Sequence, residues 1–202
     1  MKIILIIFGI ITIAFITFQS FTTMATQKTE ARIFNVLHAE PEFEIRFYPS
    51  ATLATVYLKA KSYREVSSPG FRQLAGYIFG GNESETKIAM TTPVQMNIND
   101  SVSEMSFVMP AEYSLDKLPK PKDAKVILHQ SVDETVAALQ FGGFASDEEI
   151  LRHSDKLKTL LDSKGIKYHG NFRFLAYNPP FQLVGRKNEI IVTVEWPQEN
   201  AK

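Results

Sequence analysis

The chain has 202 residues, a length that suits one domain or at most two. Its composition, 45% hydrophobic and 22% charged, is that of a globular protein and excludes a fully disordered, collagen-like or multi-span membrane protein. Its 22 basic and 22 acidic residues give zero net charge, which argues against a nucleic-acid binder, and the absence of cysteine excludes disulfides, thiolate metal sites and a covalently attached c-type haem.

The first predicted element is an apolar helix at the N-terminus. Residues 3–18 are apolar except for two threonines, and they follow Lys2 and precede a polar stretch. This pattern is typical of an export signal, and the run is just short of the ~20 residues that span a bilayer unaided. Two outcomes stay open: a cleaved signal peptide, or a retained anchor that tethers the chain through residues 3–21. Either outcome predicts a domain outside the cytoplasm, periplasmic or membrane-anchored. The expected division is a signal or anchor at 1–25, a tether at 26–42 and the functional domain at 43–196.

Two ββαββ units are predicted after the tether. Alternating and β-branched runs indicate four strands in each unit, with an amphipathic helix between the second strand and the third. Pro69 favours a first helix that begins behind Ser68. In the second helix, Ser146 and Glu149 form a capping-box pattern. The predicted strands are 43–47, 53–59, 87–98 and 105–109 around helix 68–79, then 125–129, 135–141, 172–177 and 189–196 around helix 147–164.

Sequence similarity between the two units indicates a duplication. Residues 89–96 align without gaps with residues 176–183, and residues 62–66 align with residues 146–150. The segment 118–123, rich in proline and charge, is typical of a linker between the units. Eight strands and two helices must bury their apolar faces, so the predicted fold is α+β, a distorted antiparallel β-barrel flanked by two helices. Grooves between helix and sheet are natural sites for an apolar ligand.

The segment 87–94, with the sequence KIAMTTPV, is similar to the signature of the SOUL haem-binding family. Other blocks resemble the same family in order and spacing, and the resemblance extends over residues 43–195. The resemblance implies a fold related to the bacterial effector-binding fold, and non-catalytic binding of haem or related tetrapyrroles beside the first domain helix. These further blocks are residues 48–49, 70–74, 77–78, 141–145, 177–181 and 186–189.

A tetrapyrrole is a flat apolar plate with two carboxylates on one edge, so its site needs apolar walls and one or two cations at its mouth. Arg72 and Lys87 are the predicted partners of the carboxylates, and Arg186 and Lys187 are the corresponding cations of the second unit. An ordinary core position for the wall residues, and a solvated surface position for the cations, are the alternatives. The predicted walls are Phe71, Leu74, Ala75 and Ile78, with Met90 and Met96 opposite.

Four histidines are available as axial ligands of a haem iron: His38, His129, His153 and His169. None of them lies in a block shared with the family, so the resemblance transfers no ligand. His153 is the best placed because it shares a helix face with apolar residues. An iron ligand therefore stays open, with His153 as a weak candidate.

The sequence carries no motif of a known catalytic class. It has no Gly-x-Ser-x-Gly elbow, no Gly-x-x-x-x-Gly-Lys phosphate loop and no His-Glu-x-x-His zinc motif. We therefore expect a binding protein and not an enzyme: a carrier, buffer or scavenger of haem or a related tetrapyrrole. The alternative is an effector-type module that binds other small amphipathic molecules. A third possibility is a hydrolase or dechelatase that acts in the same groove.

Overall fold

The computed structural model describes residues 2–197, and within them it contains three α-helices and nine strands. The α+β class predicted from the sequence is confirmed. A single 3₁₀ turn lies at Leu115–Lys117. The helices are α1 (Lys2–Gln27), α2 (Tyr63–Ile78) and α3 (Asp147–Ser163); the strands are β1 (Asn35–Ala39), β2 (Glu44–Tyr48), β3 (Thr52–Leu58), β4 (Val94–Asn97), β5 (Ser103–Val108), β6 (Ile127–Gln130), β7 (Glu134–Phe141), β8 (Tyr168–Ala176) and β9 (Asn188–Val194).

All nine strands form one antiparallel sheet in the order β1-β2-β7-β9-β8-β4-β5-β3-β6. Strand β1 pairs only with β2, and β6 pairs only with β3, so the two edges of the sheet do not meet. The prediction of a barrel is therefore wrong, and the sheet is open. Strand β1 lies inside the stretch predicted as a tether and extends one edge of the sheet.

The order of elements repeats, as predicted: β2, β3, α2, β4 and β5 are followed by β6, β7, α3, β8 and β9. Within the sheet, the first strand of each unit pairs with the second strand of the other, and the two third strands, β4 and β8, pair with each other. The alignment of 89–96 with 176–183 does not follow this symmetry, because it places β4 opposite residues that form no strand. Duplication itself stays a prediction.

Helix α2 begins one and a half turns earlier than predicted. Its N-cap is Ser62, whose side chain accepts a hydrogen bond from the backbone N–H of Glu65 at 3.3 Å, and Pro69 lies inside the helix. The cap and the complete burial of Val66 in the first turns offset the missing N–H of Pro69. In α3 the predicted Ser146 cap is confirmed, because its side chain accepts from the N–H of Glu149 at 3.2 Å.

Only part of the predicted strand 87–98 forms a strand. The regular pairing is confined to β4, whereas Lys87 forms an isolated bridge with Phe79 and Thr92 forms one with Ala31. Pro93 has no N–H to donate, so a continuous ladder cannot run through it. This stretch instead follows the end of α2 before it enters the sheet.

The two faces of the sheet are buried differently. Along β9, Ile190, Val192 and Val194 point to the main core, which α2 and α3 cover, while Glu189 and Ile191 lie on the opposite face. Helix α2 approaches the sheet closely at Gly70, where a Cβ atom would lie 3.2 Å from side-chain atoms of β3 and β5. Helix α2 is thereby fixed against the middle of the sheet.

Helix α1 has the length and composition of a membrane-spanning helix. Only 6% of its most apolar 18-residue window is buried against the rest of the protein. Its C-terminal end is an exception, because Gln19 and Thr22 are buried and Gln19 bonds to the segment that follows β8.

Candidate ligand-binding groove

A groove of about 1000 Å³ lies beside α2, at the end of the sheet where β4 begins and β8 ends. Its walls are α2, the stretch from Met90 to β4, residues 176–181 at and after the end of β8, and the end of α1, with Arg186 and Asn188 completing the lining. Ligand pockets in proteins commonly measure about 300–1000 Å³, so this groove can hold a large ligand. Its apolar lining includes Phe71, Ala75, Phe79, Met90, Met96 and Phe181.

The groove brings together five of the predicted site residues and leaves three outside. Leu74 and Ile78 are fully buried in the core and do not line the groove. The predicted apolar stripe of α2 makes two different contacts. Leu74 and Ile78 pack against the sheet, whereas Phe71 and Ala75 line the groove. Lys87 is exposed outside the groove, bridged to Phe79. The predicted residues that line the groove are Phe71, Arg72, Ala75, Met90 and Met96.

Two arginines supply positive charge to the groove. Arg72 is exposed on α2. Arg186 is held in place, because its Nη1 donates to the carbonyl oxygens of Pro179 at 2.8 Å and Gln182 at 2.7 Å, and its guanidinium lies 4.6 Å from the ring centre of Phe144. Burial lowers the pKa of Arg186, although the nearby Tyr63 opposes this. Its Nε is buried and has no hydrogen-bond partner among the described residues.

Lys187, the other predicted cation of the second unit, does not line the groove. Its Nζ lies 3.1 Å from Oε1 of Glu189 and 4.1 Å from the ring centre of Tyr177. Its charge is therefore committed to the opposite face of the sheet. Of this pair, Arg186 alone reaches the groove.

The sequence analysis missed the wall that α1 contributes. Phe21, Thr22, Ala25 and Thr26 line the groove, although residues 1–25 were expected to be separate from the domain. The signal that could have revealed this wall is the spacing of Gln19, Thr22 and Thr26, which places three polar groups on one face of the helix just after its apolar run. Such a polar stripe indicates a contact with protein and not with lipid.

Polar contacts fix the end of α1 to the segment that follows β8. The side chain of Gln19 donates to the carbonyl oxygen of Phe181 at 3.2 Å and accepts from the N–H of Leu183 at 2.9 Å. Thr26 Oγ1 donates to Oε1 of Gln182 at 2.8 Å. Because Gln182 is itself buried, the helix and this segment form one side of the groove.

None of the four histidines lines the groove, within the part of the chain that the structure describes. Nδ1 of His153 donates to the carbonyl oxygen of Glu149 at 2.7 Å, and its ring is stacked on Phe141 with 3.8 Å between ring centres. The ring of His129 is 2.9 Å from Thr55 Oγ1, and His38 pairs with Glu40. The groove therefore offers no imidazole to an iron from these described residues.

The groove residues offer apolar contacts and positive charge to a ligand. Burial raises the pKa of Tyr63, which therefore stays protonated at neutral pH. No cluster of three or more potential metal-ligating side chains occurs among residues 2–197. Apolar walls with two guanidinium groups suit a flat apolar molecule that carries negative charge. The groove and fold thus define a small-molecule-binding protein.

The family of this protein follows from sequence comparison. The sequence profile described as "SOUL heme-binding protein" matches residues 13–193, so the chain belongs to the SOUL family. It is 30% identical over 156 residues to "Heme-binding protein 1" of Xenopus laevis, a match that covers 73% of this chain and 81% of the relative. It is also 30% identical over 156 residues to "Heme-binding protein 2" of Mus musculus, with 73% and 76% covered.

Solved structures with the same fold are much more distant in sequence. The C-terminal domain of EcmrR superposes with a TM-score of 0.61 at 8% identity and covers 77% of this chain and 98% of that domain. A hydrolase from Listeria innocua superposes with a TM-score of 0.55 at 11% identity, with 79% and 94% covered. At these identities the likeness concerns the fold alone, and it agrees with the predicted relation to the effector-binding fold.

Proposed function

We propose that this chain binds haem or a related tetrapyrrole non-covalently in the groove beside α2, without catalysing a reaction. The observation that carries the proposal is a large groove with apolar walls and two guanidinium groups, in a chain of the SOUL heme-binding protein family. The relatives named as heme-binding proteins support the same ligand class.

The lining residues fit the chemistry of a tetrapyrrole. Phe71, Met90 and Met96 supply an aromatic ring and two adaptable thioether side chains for an apolar macrocycle. The propionates are expected at Arg72 and Arg186, because a guanidinium group donates strong charge-assisted hydrogen bonds to a carboxylate. Bound iron would supply redox and ligand-exchange chemistry; the apolar walls and cations of the chain are proposed to supply the affinity.

Gly76 offers a test that separates binding from folding. It lines the groove within α2, and a Cβ atom at this position would meet nothing within 4 Å. Gly76→Trp has room for its Cβ atom and should project its ring into the groove, and replacing a helical glycine should not lower stability. We expect haemin affinity to fall at least tenfold, measured by absorbance titration of the full chain in detergent.

The matched control is Arg64→Trp, an exposed position on the same helix outside the groove. It should leave haemin affinity unchanged. Wild-type affinity in Gly76→Trp, with the urea midpoint also unchanged, would place the ligand elsewhere and contradict the proposal.

The biological role that we propose is that of a carrier, buffer or scavenger tethered by α1 on the outer side of a membrane. The single Lys2 in front of the apolar run favours a cytoplasmic N-terminus, which places the domain outside the cytoplasm. The burial of Gln19 and Thr22 against the domain supports retention of α1 over cleavage. Mass spectrometry of the membrane fraction should find the intact N-terminal segment, and a mature chain that starts near residue 26 would contradict retention.

A second candidate is an effector-type module for other small amphipathic molecules. It is favoured by the absence of histidine from the groove lining, because such a groove has no imidazole with which to select iron. Parallel titrations with haemin, iron-free protoporphyrin and an apolar anionic dye distinguish the two. Similar affinity for both porphyrins with weak dye binding supports a tetrapyrrole site, whereas equal affinity for all three favours the broader module.

A further inference from the structure

The segment 181–184 exposes apolar side chains at one point of the surface. Phe181, Leu183 and Val184 are 54%, 47% and 65% exposed, whereas Gln182 between them is buried. Scattered exposed apolar residues are normal on a protein surface, but a contiguous group indicates an interaction site. The identity of its partner follows from its position relative to α1.

Hydrogen bonds hold this segment at a fixed level along α1. Gln19 bonds to the backbone of both Phe181 and Leu183, and Phe18 lies against Phe181 with 6.2 Å between ring centres. The segment therefore lies beside the last apolar turn of α1.

The segment 181–184 lies at the level where the hydrocarbon core of a bilayer crossed by α1 would end. A helix needs ~20 residues to cross the hydrocarbon core, at 1.5 Å per residue. The apolar run begins at residue 3, so the core ends near residues 19–23, at the level of the 181–184 segment. The three exposed apolar side chains then meet the interfacial layer of the membrane, where apolar and aromatic groups are stabilised.

We propose that the segment 181–184 inserts into the membrane interface beside α1, so that the groove opens at the bilayer surface and exchanges its ligand with the lipid. Phe21 of α1 and Phe181 of this segment both line the groove, so the proposed membrane contact is continuous with the groove wall. The inference rests on the proposed function, because it takes α1 as a retained anchor and a tetrapyrrole as the ligand. Flat apolar ligands of this class partition into lipid, which makes the bilayer a direct source.

The chain contains no cysteine, so a single introduced cysteine is a unique labelling site. We would label Val184→Cys with an environment-sensitive fluorophore and reconstitute the full chain into phosphatidylcholine vesicles that contain lipids with a nitroxide near the headgroup. The matched control is Val102→Cys, which is 43% exposed in the turn after β4, at the opposite end of that strand from the groove. We expect strong quenching at position 184 and little at position 102.

Equal, weak quenching at both positions, with α1 in the bilayer, would overturn the inference. A second measurement follows transfer of haemin from loaded vesicles. Val184→Asp should slow the transfer severalfold while leaving equilibrium haemin affinity in detergent unchanged, and Val102→Asp should change neither; normal transfer to Val184→Asp would overturn ligand exchange through the lipid. If wild-type protein binds no haemin in detergent but position 184 is quenched, the proposed function fails while the membrane contact stands.

Discussion

The two faces of the sheet differ in how their polar groups are used. The face covered by α2 and α3 ends in an open groove, whereas the other face carries charged groups that the protein itself neutralises. Arg46 is buried there and donates from Nη1 to Oε2 of Glu189 at 3.0 Å and from Nε to Oε2 of Glu44 at 2.7 Å. The hydroxyl of Tyr177 donates to the same oxygen of Glu189 at 2.6 Å.

The N-terminal segment before β1 covers this charged face. The ring of Phe34 lies 4.3 Å from the guanidinium of Arg46, and Arg32 lies 4.6 Å from the ring centre of Tyr48. Arg32 also pairs with Glu134, with 3.5 Å between Arg32 Nη1 and Glu134 Oε1. These contacts explain why the stretch predicted as a tether is part of the folded domain.

The charged residues of the two faces have different roles: those on the face opposite the helices stabilise the fold, and those in the groove can contact a ligand. Burial alone would raise the pKa of Glu189, but the hydrogen bond and charge of Arg46 outweigh it and lower the pKa. Glu189 is thus ionised, and its carboxylate is bonded to Arg46 and Tyr177. In the groove, by contrast, Arg72 is exposed and the Nε of Arg186 lacks a partner. Tyr177 belongs to both places, since it bonds to Glu189 and lines the groove.

The largest expected effect is on stability, from Glu189→Gln. The change leaves the buried charge of Arg46 without its full partner, and breaking such a pair costs about 3–5 kcal/mol in the free energy of unfolding. Urea unfolding at pH 7 measures this loss. The control Glu195→Gln alters an exposed pair, Lys167 with Glu195 at 4.0 Å, and should change stability by less than about 0.5 kcal/mol.

The pH dependence of stability in the wild type and in Glu189→Gln tests the ionisation of Glu189. A carboxylate whose pKa is lowered by folding stabilises the protein above its unfolded pKa, and this contribution is lost as the pH falls through the folded pKa. Wild-type protein should therefore lose more stability than Glu189→Gln between pH 5 and pH 3. Parallel curves for the two proteins would show that Glu189 is not held ionised by the fold.

The second largest effect is on binding, from Phe71→Asp. The substitution removes an aromatic wall and places a carboxylate beside the anionic edge of the ligand, so we expect haemin affinity to fall about 30- to 100-fold, or ~2–3 kcal/mol. Tyr57→Asp is the control, because Tyr57 is exposed on β3 outside the groove. Comparable losses in both variants would mean that a general weakening of the fold is being measured.

Elements with clear periodicity and capping residues are predictable from the sequence. Helix α3 has an unambiguous cap at Ser146, so its start was predicted to the residue. In α2 the periodicity gave the apolar stripe but not the division within it, because Leu74 and Phe71 lie on adjacent sides of the same helix. Only the position of the sheet relative to α2 determines that Leu74 lies in the core and that Phe71 lines the groove.

Long-range contacts account for the features that the sequence analysis missed. All five residues of β1 are exposed, so the strand does not need the alternation of apolar and polar residues by which a half-buried strand is predicted. It is a strand because it pairs with β2. An open sheet and a barrel have the same strand patterns and differ only in whether the edges pair. The contact of α1 depends on Gln19 meeting a segment more than 160 residues away.

A smaller effect on binding is expected from Arg186→Gln. Loss of one charge-assisted hydrogen bond to a propionate should weaken haemin binding about tenfold, or ~1–2 kcal/mol. Protoporphyrin dimethyl ester, whose carboxylates are blocked, should bind the variant and the wild type alike. The control Arg152→Gln removes an exposed arginine of α3 and should leave both titrations unchanged. An equal loss for haemin and the ester would assign Arg186 to the groove structure and not to the carboxylates.

The smallest effect on binding is expected from His153→Ala. Because His153 stacks on Phe141 and bonds to Glu149 outside the groove, its removal should cost stability, about 1 kcal/mol, through lost packing. Haemin affinity and the Soret band should stay within error of the wild type. A loss of haemin affinity as large as that of Phe71→Asp, with protoporphyrin binding retained, would instead identify His153 as an iron ligand. The helix-covered face would then contain a second haem site, and the division between a binding groove and a purely structural remainder would no longer hold.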